Sequence, residues 1–278
     1  LVDMQTKLER LDRSKSSFIS VAAHELKTPL TLVEGYTTMM RDIAKGGNSS
    51  NGQMDSLIEG VNTGIRRLRS IVDDMIDVSL IDNNMLALHF QPVWLNNILA
   101  LIHNELADSI QNRKQVYSVQ NFPGIDQMFF ADPERLYQAF RNILINAIKY
   151  TPDGGRVTVT GRTLPGFIEV TVTDSGIGIS AENQETIFEK FGQLGNVSLH
   201  SSGKTKFKGG GPGLGLPIAR GIIEAHGGTI WVESEGHDEK KCPGSTFHVL
   251  LPMRTEPPDP TIAKLFGVEN KQEQEKEQ

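Results

Sequence analysis

The sequence predicts an α+β protein: an antiparallel helical hairpin that forms a dimeric four-helix bundle, followed by a region where strands and helices alternate. Three features carry this. Apolar residues recur every three or four positions over two long stretches. A Gly/Ser/Asn cluster separates those stretches. Near residue 84 the pattern changes to short runs of Val and Ile alternating with polar residues, set between helical segments.

Residues 1 to about 45 read as one helix, with Met4, Leu8, Leu11, Phe18, Ala22, Val33, Met40 and Ile43 along its stripe. The early spacing is that of a coiled-coil seam, interrupted at Lys15, so residues 1–17 are expected to be a coiled-coil linker. A chain beginning with Leu1 rather than Met reads as a fragment whose upstream part is missing. Gly46-Gly47-Asn48-Ser49-Ser50-Asn51-Gly52 breaks the helix. A second helix is expected over about 53–83, with Met54, Leu57, Ile58, Val61, Ile65, Leu68, Val72, Met75 and Ser79 as its stripe. Two long helices and a short loop make a hairpin. A hairpin alone cannot bury two apolar stripes, whereas a two-fold homodimer can.

Leu86–Phe90 alternates like a strand. Residues 93–113 carry helical spacing at Leu95, Ile98, Leu99, Ile102, Leu106 and Ile110. Residues 116–119 and 128–130 read as short strands. Asp132 before Pro133 is a helix start, a capping carboxylate followed by a residue that needs no N–H. That helix runs to about Lys149 and ends at the turn Thr151-Pro152-Asp153-Gly154-Gly155. Residues 156–162 and 167–173 form a hairpin. Residues 192–212, rich in Gly, Ser and Lys, read as a long functional loop. A helix over 213–226 and strands over 229–234 and 245–251 complete an antiparallel sheet. The polar tail, 253–278, is expected to be disordered at least beyond about residue 268.

Composition excludes several classes. The chain has 278 residues, 38% hydrophobic and 22% charged, which suits one or two ordinary globular domains. A net charge of −6 without a basic stripe argues against nucleic acid as the main partner. The single cysteine, Cys242, leaves no internal disulfide framework and fits a reducing cytosol. No run of about 18 apolar residues and no signal-peptide pattern is present, so a cytoplasmic location is expected for this fragment, with membrane attachment of the full-length protein left open.

The chemistry begins at Phe18-Ile19-Ser20-Val21-Ala22-Ala23-His24-Glu25-Leu26-Lys27-Thr28-Pro29-Leu30. A proline inside a helix costs about 3 kcal/mol, and here it follows a His-Glu pair by one turn. His24 and Thr28 share a face. A neutral imidazole is a good nucleophile near pH 7. Taken alone, the stretch reads equally as a surface histidine on a kinked helix.

Four later segments converge on nucleotide. Asn142 and Asn146 project from one helical face; amide oxygens suit Mg²⁺, which reaches proteins together with phosphates and waters. Lys149 brings charge one turn on. Taken alone, this is also a capping or surface asparagine pair. Asp174-Ser175-Gly176-Ile177-Gly178-Ile179 follows a strand; its carboxylate can accept from an exocyclic amine, and its glycines allow close approach. Alone it is also an ordinary turn. Ile187-Phe188-Glu189-Lys190-Phe191 supplies two aromatics that serve a core or a gate. Gly209-Gly210-Gly211-Pro212-Gly213-Leu214-Gly215-Leu216 runs into a helix whose free N–H groups suit phosphate, with Lys204, Lys206 and Lys208 nearby. It is neither a Walker A nor a dinucleotide fingerprint.

In order and spacing these segments resemble the H, N, G1, F and G2 boxes of sensor histidine kinases, whose ATP-binding domain belongs with those of gyrase, HSP90 and MutL. The resemblance covers roughly residues 10–252. It implies domains at 18–84 (dimerisation and phosphotransfer) and 85–252 (catalytic), the latter an α/β sandwich of three helices on a mixed sheet, with 192–212 as ATP lid. His24 would be the phospho-acceptor, Glu25 its proton acceptor and Thr28 the orienter of water in a regulator phosphatase reaction. Asn146, with Asn142, would hold Mg²⁺; Lys149 and Tyr150 would flank phosphate or ribose; Asp174 would read adenine. Gly176, Gly178, Ile179, Phe191, Lys208, Gly211, Gly213, Leu214, Gly215, Leu216 and Thr246 would frame the pocket.

The resemblance also implies a homodimer, a response-regulator receiver as partner and an upstream sensor. The related hydrolases carry a water-activating Glu four residues before the magnesium Asn. Here that position is Asn142, so transfer to His24 is expected over hydrolysis. Departures are Pro212, the Gly and Lys load of the lid, and Trp94 where a helix-capping residue is usual. The rival readings are a catalytically degenerate ATP-binding signalling dimer and a hydrolytic ATPase clamp.

Overall fold

The computed structural model describes residues 2–46, 51–190, 207 and 213–258, with side chains described from residue 20 except at 45, 46 and 51. The seam of the 1–17 linker, the lid apart from Phe207, and the tail beyond 258 lie outside the described residues.

Helices α1 (Val2–Gly46) and α2 (Asn51–Asp82) form the hairpin. α1 runs through Pro29, which cannot donate to the Glu25 carbonyl one turn back. Two glycines of α2 admit the facing side chains of α1. A Cβ on Gly64 would lie 2.5 Å from Val33 Cγ2 and 3.3 Å from the Pro29 carbonyl oxygen, and one on Gly60 would meet the Tyr36 ring. The α2 stripe expected as one face divides into two: Met54, Leu57, Val61, Leu68 and Met75 are half-buried, while Ile58, Ile65 and Val72 stay 43–51% exposed; the buried Ile71 and Val78 lie off that stripe. On α1, Leu30, Leu32 and Met39 are likewise exposed.

The strand expected at Leu86–Phe90 does not form. There the His89 N–H is taken by the Asp132 carboxylate at 2.8 Å, and pairing begins at β1 (Gln91–Val93), antiparallel to β3 (Phe129–Ala131). The main sheet has the order β2-β4-β5-β7-β6, with β2 at Val116–Val119, β4 at Arg156–Leu164, β5 at Phe167–Asp174, β6 at Thr229–Glu233 and β7 at Ser245–Pro252. β2 is parallel to β4 and the other pairs are antiparallel. The sheet is therefore mixed rather than wholly antiparallel.

Helices α3 (Leu95–Asn112), α4 (Pro133–Tyr150) and α5 (Gly215–Ala225) pack on one face of this sheet. Leu99, Ile102, Phe140, Ile143, Ile218 and Ile222 join Val159, Val170, Val249 and Val232 in one core. α4 starts as its sequence requires: Asp132 Oδ1 accepts from Arg135 N at 3.0 Å, and Pro133 needs no acceptor. α3 starts at Trp94 without a side-chain cap. Met75, Val78 and Ile81 of α2 pack on the same core, so the hairpin and the sheet domain touch.

Candidate active site

On α1, His24 is exposed and Thr28 Oγ1 donates to the His24 carbonyl at 3.3 Å. The Glu25 carboxylate is turned into the hairpin, where Arg67 Nη2 donates to it at 3.5 Å. Side chains at i and i+1 of a helix diverge by about 100°, so neighbouring residues reach different surroundings: one solvent, the other α2.

The second half of the site is built around α4. Asn142 Nδ2 donates to the Gly215 carbonyl at 3.1 Å, tying α4 to the first turn of α5 and leaving its Oδ1 as acceptor. Asn146 follows one turn later, half-buried. Lys149 Nζ lies 4.8 Å from the centre of the Tyr150 ring. The carbonyls ending α4 are held by two residues that sequence reasoning missed. Arg113 donates to Ile148 O and Thr151 O, and Gln115 Nε2 to Thr151 O at 2.8 Å. Both sit some 35 residues before the carbonyls they cap, beyond the reach of any local signal.

Asp174 ends β5 and is 6% exposed. Burial raises its pKa to about 7, against the opposing pull of the N–H groups of Gly176, whose donor lies 2.8 Å from Oδ1, and Ser245. The glycines after it are obligatory. A Cβ on Gly176 would stand 2.6 Å from the Tyr150 carbonyl oxygen; Gly178 has φ +71 with the Gly236 carbonyl 2.0 Å from a Cβ site. Ile179 N donates to Ser234 Oγ at 2.9 Å.

Thr246 lies on the other face of β7. It pairs with Thr173, and its hydroxyl lies 3.2 Å from that of Thr173, on the sheet face opposite Asp174. The neighbour opposite Asp174 is Ser245. The period of a strand is two, so Ser245 shares the face of core residue Phe247 and Thr246 cannot; that parity was the available signal. Phe188 is buried edge-on to Phe247, a core role. Phe191, Lys208 and Gly211 lie outside the described residues.

Gly213, at φ +70, turns the chain into α5, whose N-cap Leu214 makes no side-chain cap and is fully buried. Leu216 is half-buried in the first turn. The arrangement fits a purine nucleotide: a buried acceptor for an amine, glycines where a Cβ would fill space, and a helix N-terminus without a capping side chain. The amide oxygens of Asn142 and Asn146 fit Mg²⁺ accompanied by phosphate. Among the described residues no cluster of His, Cys, Asp or Glu forms an alternative metal site.

Fold and site define a helical hairpin presenting histidine, joined to a nucleotide-binding α/β domain. Comparison with known proteins agrees. Residues 14–84 match the family "His Kinase A (phospho-acceptor) domain" and residues 131–255 match "Histidine kinase-, DNA gyrase B-, and HSP90-like ATPase". The chain thus carries members of both domain families, and the relatives it matches are sensor histidine kinases. It is 28% identical to Sensor histidine kinase WalK of Bacillus subtilis, over 91% of this chain and 39% of WalK. It is 29% identical to the circadian input-output histidine kinase CikA of Synechococcus elongatus, over 94% of this chain and 33% of CikA. The chain thus spans well under half the length of these relatives. In fold it is similar to Acinetobacter baumannii histidine kinase AdeS (TM-score 0.59, 22% identity, 83% of this chain and 98% of that one). It is also similar to histidine kinase ThkA in complex with response regulator protein TrrA (TM-score 0.59, 24% identity, 90% of this chain and 64% of that one).

Proposed function

We propose that this chain autophosphorylates His24 from ATP and passes the phosphoryl group to an aspartate of a response-regulator receiver domain. The observation that carries the reading is at Asn142. Where a hydrolase needs a carboxylate one turn before Asn146, the chain has an amide tied to Gly215, so no base stands there to activate water, while an exposed imidazole stands on α1.

In the reaction, a ring nitrogen of His24 attacks the γ-phosphorus, the N–P bond forms as the bond to the β-phosphate oxygen breaks, and ADP leaves. The proton on the other ring nitrogen passes to a base, a role the family gives to Glu25. Arg67 keeps that carboxylate at the hairpin interface. Mg²⁺, held through Asn146 and Asn142, would neutralise developing phosphate charge. Asp174 and Gly176 orient the base, and the first turn of α5 receives phosphate. Thr28, one turn from His24, would orient water in a regulator phosphatase reaction.

The partner reading draws support from ThkA, a fold neighbour solved with a response regulator. The homodimer draws support from the apolar outer face at Leu30, Met39, Ile58, Ile65, Val72 and Ile76, which a second hairpin would cover. No helix among the described residues is long and apolar enough to cross a membrane. We assign this part of the protein to the cytoplasm, with input reaching His24 along α1 from an upstream sensor.

The test is incubation with γ-labelled ATP. Label stable to base and lost in acid, absent from His24→Gln, is the expected result. Nucleotide binding without label would mark a degenerate signalling dimer, and steady phosphate release without phosphohistidine a hydrolase.

A further inference from the structure

The function above requires Asn146 and His24, on different domains, to come to one height along the hairpin. We infer that Asp77 is the positioning residue that sets this height. Asp77 lies on α2 and is 7% exposed. Its two oxygens take separate donors from α4: Arg135 Nη1 to Oδ1 at 2.7 Å and Gln138 Nε2 to Oδ2 at 2.6 Å. Arg135 also donates to Gln138 Oε1 at 2.9 Å, closing a three-residue ring. The apolar contacts beside it, Val78 and Ile81, are non-directional and would let the domains slide. A buried carboxylate gripped at both oxygens is directional.

The direction of α4 follows from independent contacts. α4 and α5 are antiparallel, because Asn142 meets Gly215 while Asp132 N donates to His226 Nε2. α5 rests on α2 with Gly221 against Ile81, one turn past Asp77. The start of α4 lies by the C-terminal end of α2, because Asp132 takes the N–H of His89, seven residues beyond Asp82; Asn142 and the Gly215 end of α5 therefore lie toward the His24 end of the hairpin. Arg141, one turn after Gln138, feels the charge of Asp74, one turn before Asp77, as this direction requires. At ~1.5 Å per residue, Asn146 stands about 12 Å along α4 from Gln138, which on α2 leads from Asp77 back to about residue 69. That is the level of Arg67, which pairs with Glu25, the neighbour of His24. The clamp thus brings the magnesium asparagine level with the phospho-acceptor. This inference rests on the kinase reading.

The test compares the wild-type chain with Asp77→Ala, Asp77→Glu and the swap Asp77→Arg/Arg135→Asp, using nucleotide affinity, labelling rate and backbone hydrogen exchange. Asp77→Ala is expected to keep ATP affinity, to label His24 roughly tenfold to a hundredfold more slowly, and to exchange faster at 133–138 of α4 and 218–222 of α5, with 156–174 unchanged. Asp77→Glu and the swap should restore part of the rate. Unchanged exchange would show that Asp77 does not hold the domains. Faster exchange with an equal or higher labelling rate would show that the docked pose is not the transfer pose. Either overturns the inference and leaves the kinase reading standing. Failure of the wild-type chain to label despite bound nucleotide would overturn the kinase reading itself.

Discussion

Nucleotide binding should be linked to one proton through Asp174. In the empty protein its carboxyl has been raised from the ordinary 3.8 to about 7 by burial. It is therefore largely protonated at pH 6 and ionised at pH 8. A folded pKa above the unfolded one means that the native state holds the extra proton between about pH 4 and 7. The stability it lends the empty protein is present at acid pH and lost as pH rises through about 7. An adenine amine donating to the carboxylate favours the ionised form and reverses the preference. Binding then releases a proton, and affinity falls about tenfold for each pH unit below 7, since one pKa unit is ~1.4 kcal/mol. Above about pH 7.5 the affinity should level off. Calorimetric titration with MgATP from pH 5.5 to 8.5, in two buffers of different ionisation heat, measures both quantities. Asp174→Asn in the same titration removes the protons that belong to the nucleotide phosphates. A dissociation constant that is flat between pH 6 and 8, with equal proton release from wild type and Asp174→Asn, would refute the assignment of Asp174 as the adenine acceptor.

Other outcomes follow from packing and charge. Gly64→Ala puts a methyl 2.5 Å from Val33 Cγ2; overpacking of about 1–3 kcal/mol outweighs the ~1 kcal/mol gained in helix propensity. Its melting temperature should fall and recover in Gly64→Ala/Val33→Ala. Gly178→Ala combines φ +71 with a carbonyl oxygen 2.0 Å away and should lose more than about 2 kcal/mol in urea unfolding, together with nucleotide binding. His226 is buried, with Nε2 accepting from Asp132 N and Nδ1 bonded to Ile222 O. Desolvation depresses its pKa below 6.5. Its stability contribution is whole above about pH 6.5 and is lost as pH falls toward the folded value. Urea midpoints at pH 8 and 6 should differ in wild type by more than in His226→Gln.

Local rules made much of this legible. Asp132-Pro133 started α4 because cap and donor lie three residues apart. The Asn142–Asn146 spacing put two amides on one face, and Asp174 stood at a strand end followed by glycines. One reading failed for lack of a local partner. Leu86–Phe90 alternates, but its N–H at His89 went to a carboxylate 43 residues away. Thr246 was named for the pocket, and strand alternation puts Ser245 rather than Thr246 on the face of Asp174. The α2 stripe was read as one face because periodicity locates apolar residues without saying which neighbour each meets.

Sequence alone determined most of the element types, the hairpin, the order of nucleotide segments and the candidate phospho-acceptor. All of these depend on interactions within a turn or two of chain, or on strings contiguous in it. Only the tertiary structure decided that Glu25 turns to Arg67, that Arg113 and Gln115 cap α4, that Asn142 ties to α5, and that Asp77 grips Arg135 and Gln138. Each joins residues 33 to 73 positions apart. Such partners are chosen by how packed helices and strands lie against one another, a choice that no local propensity encodes.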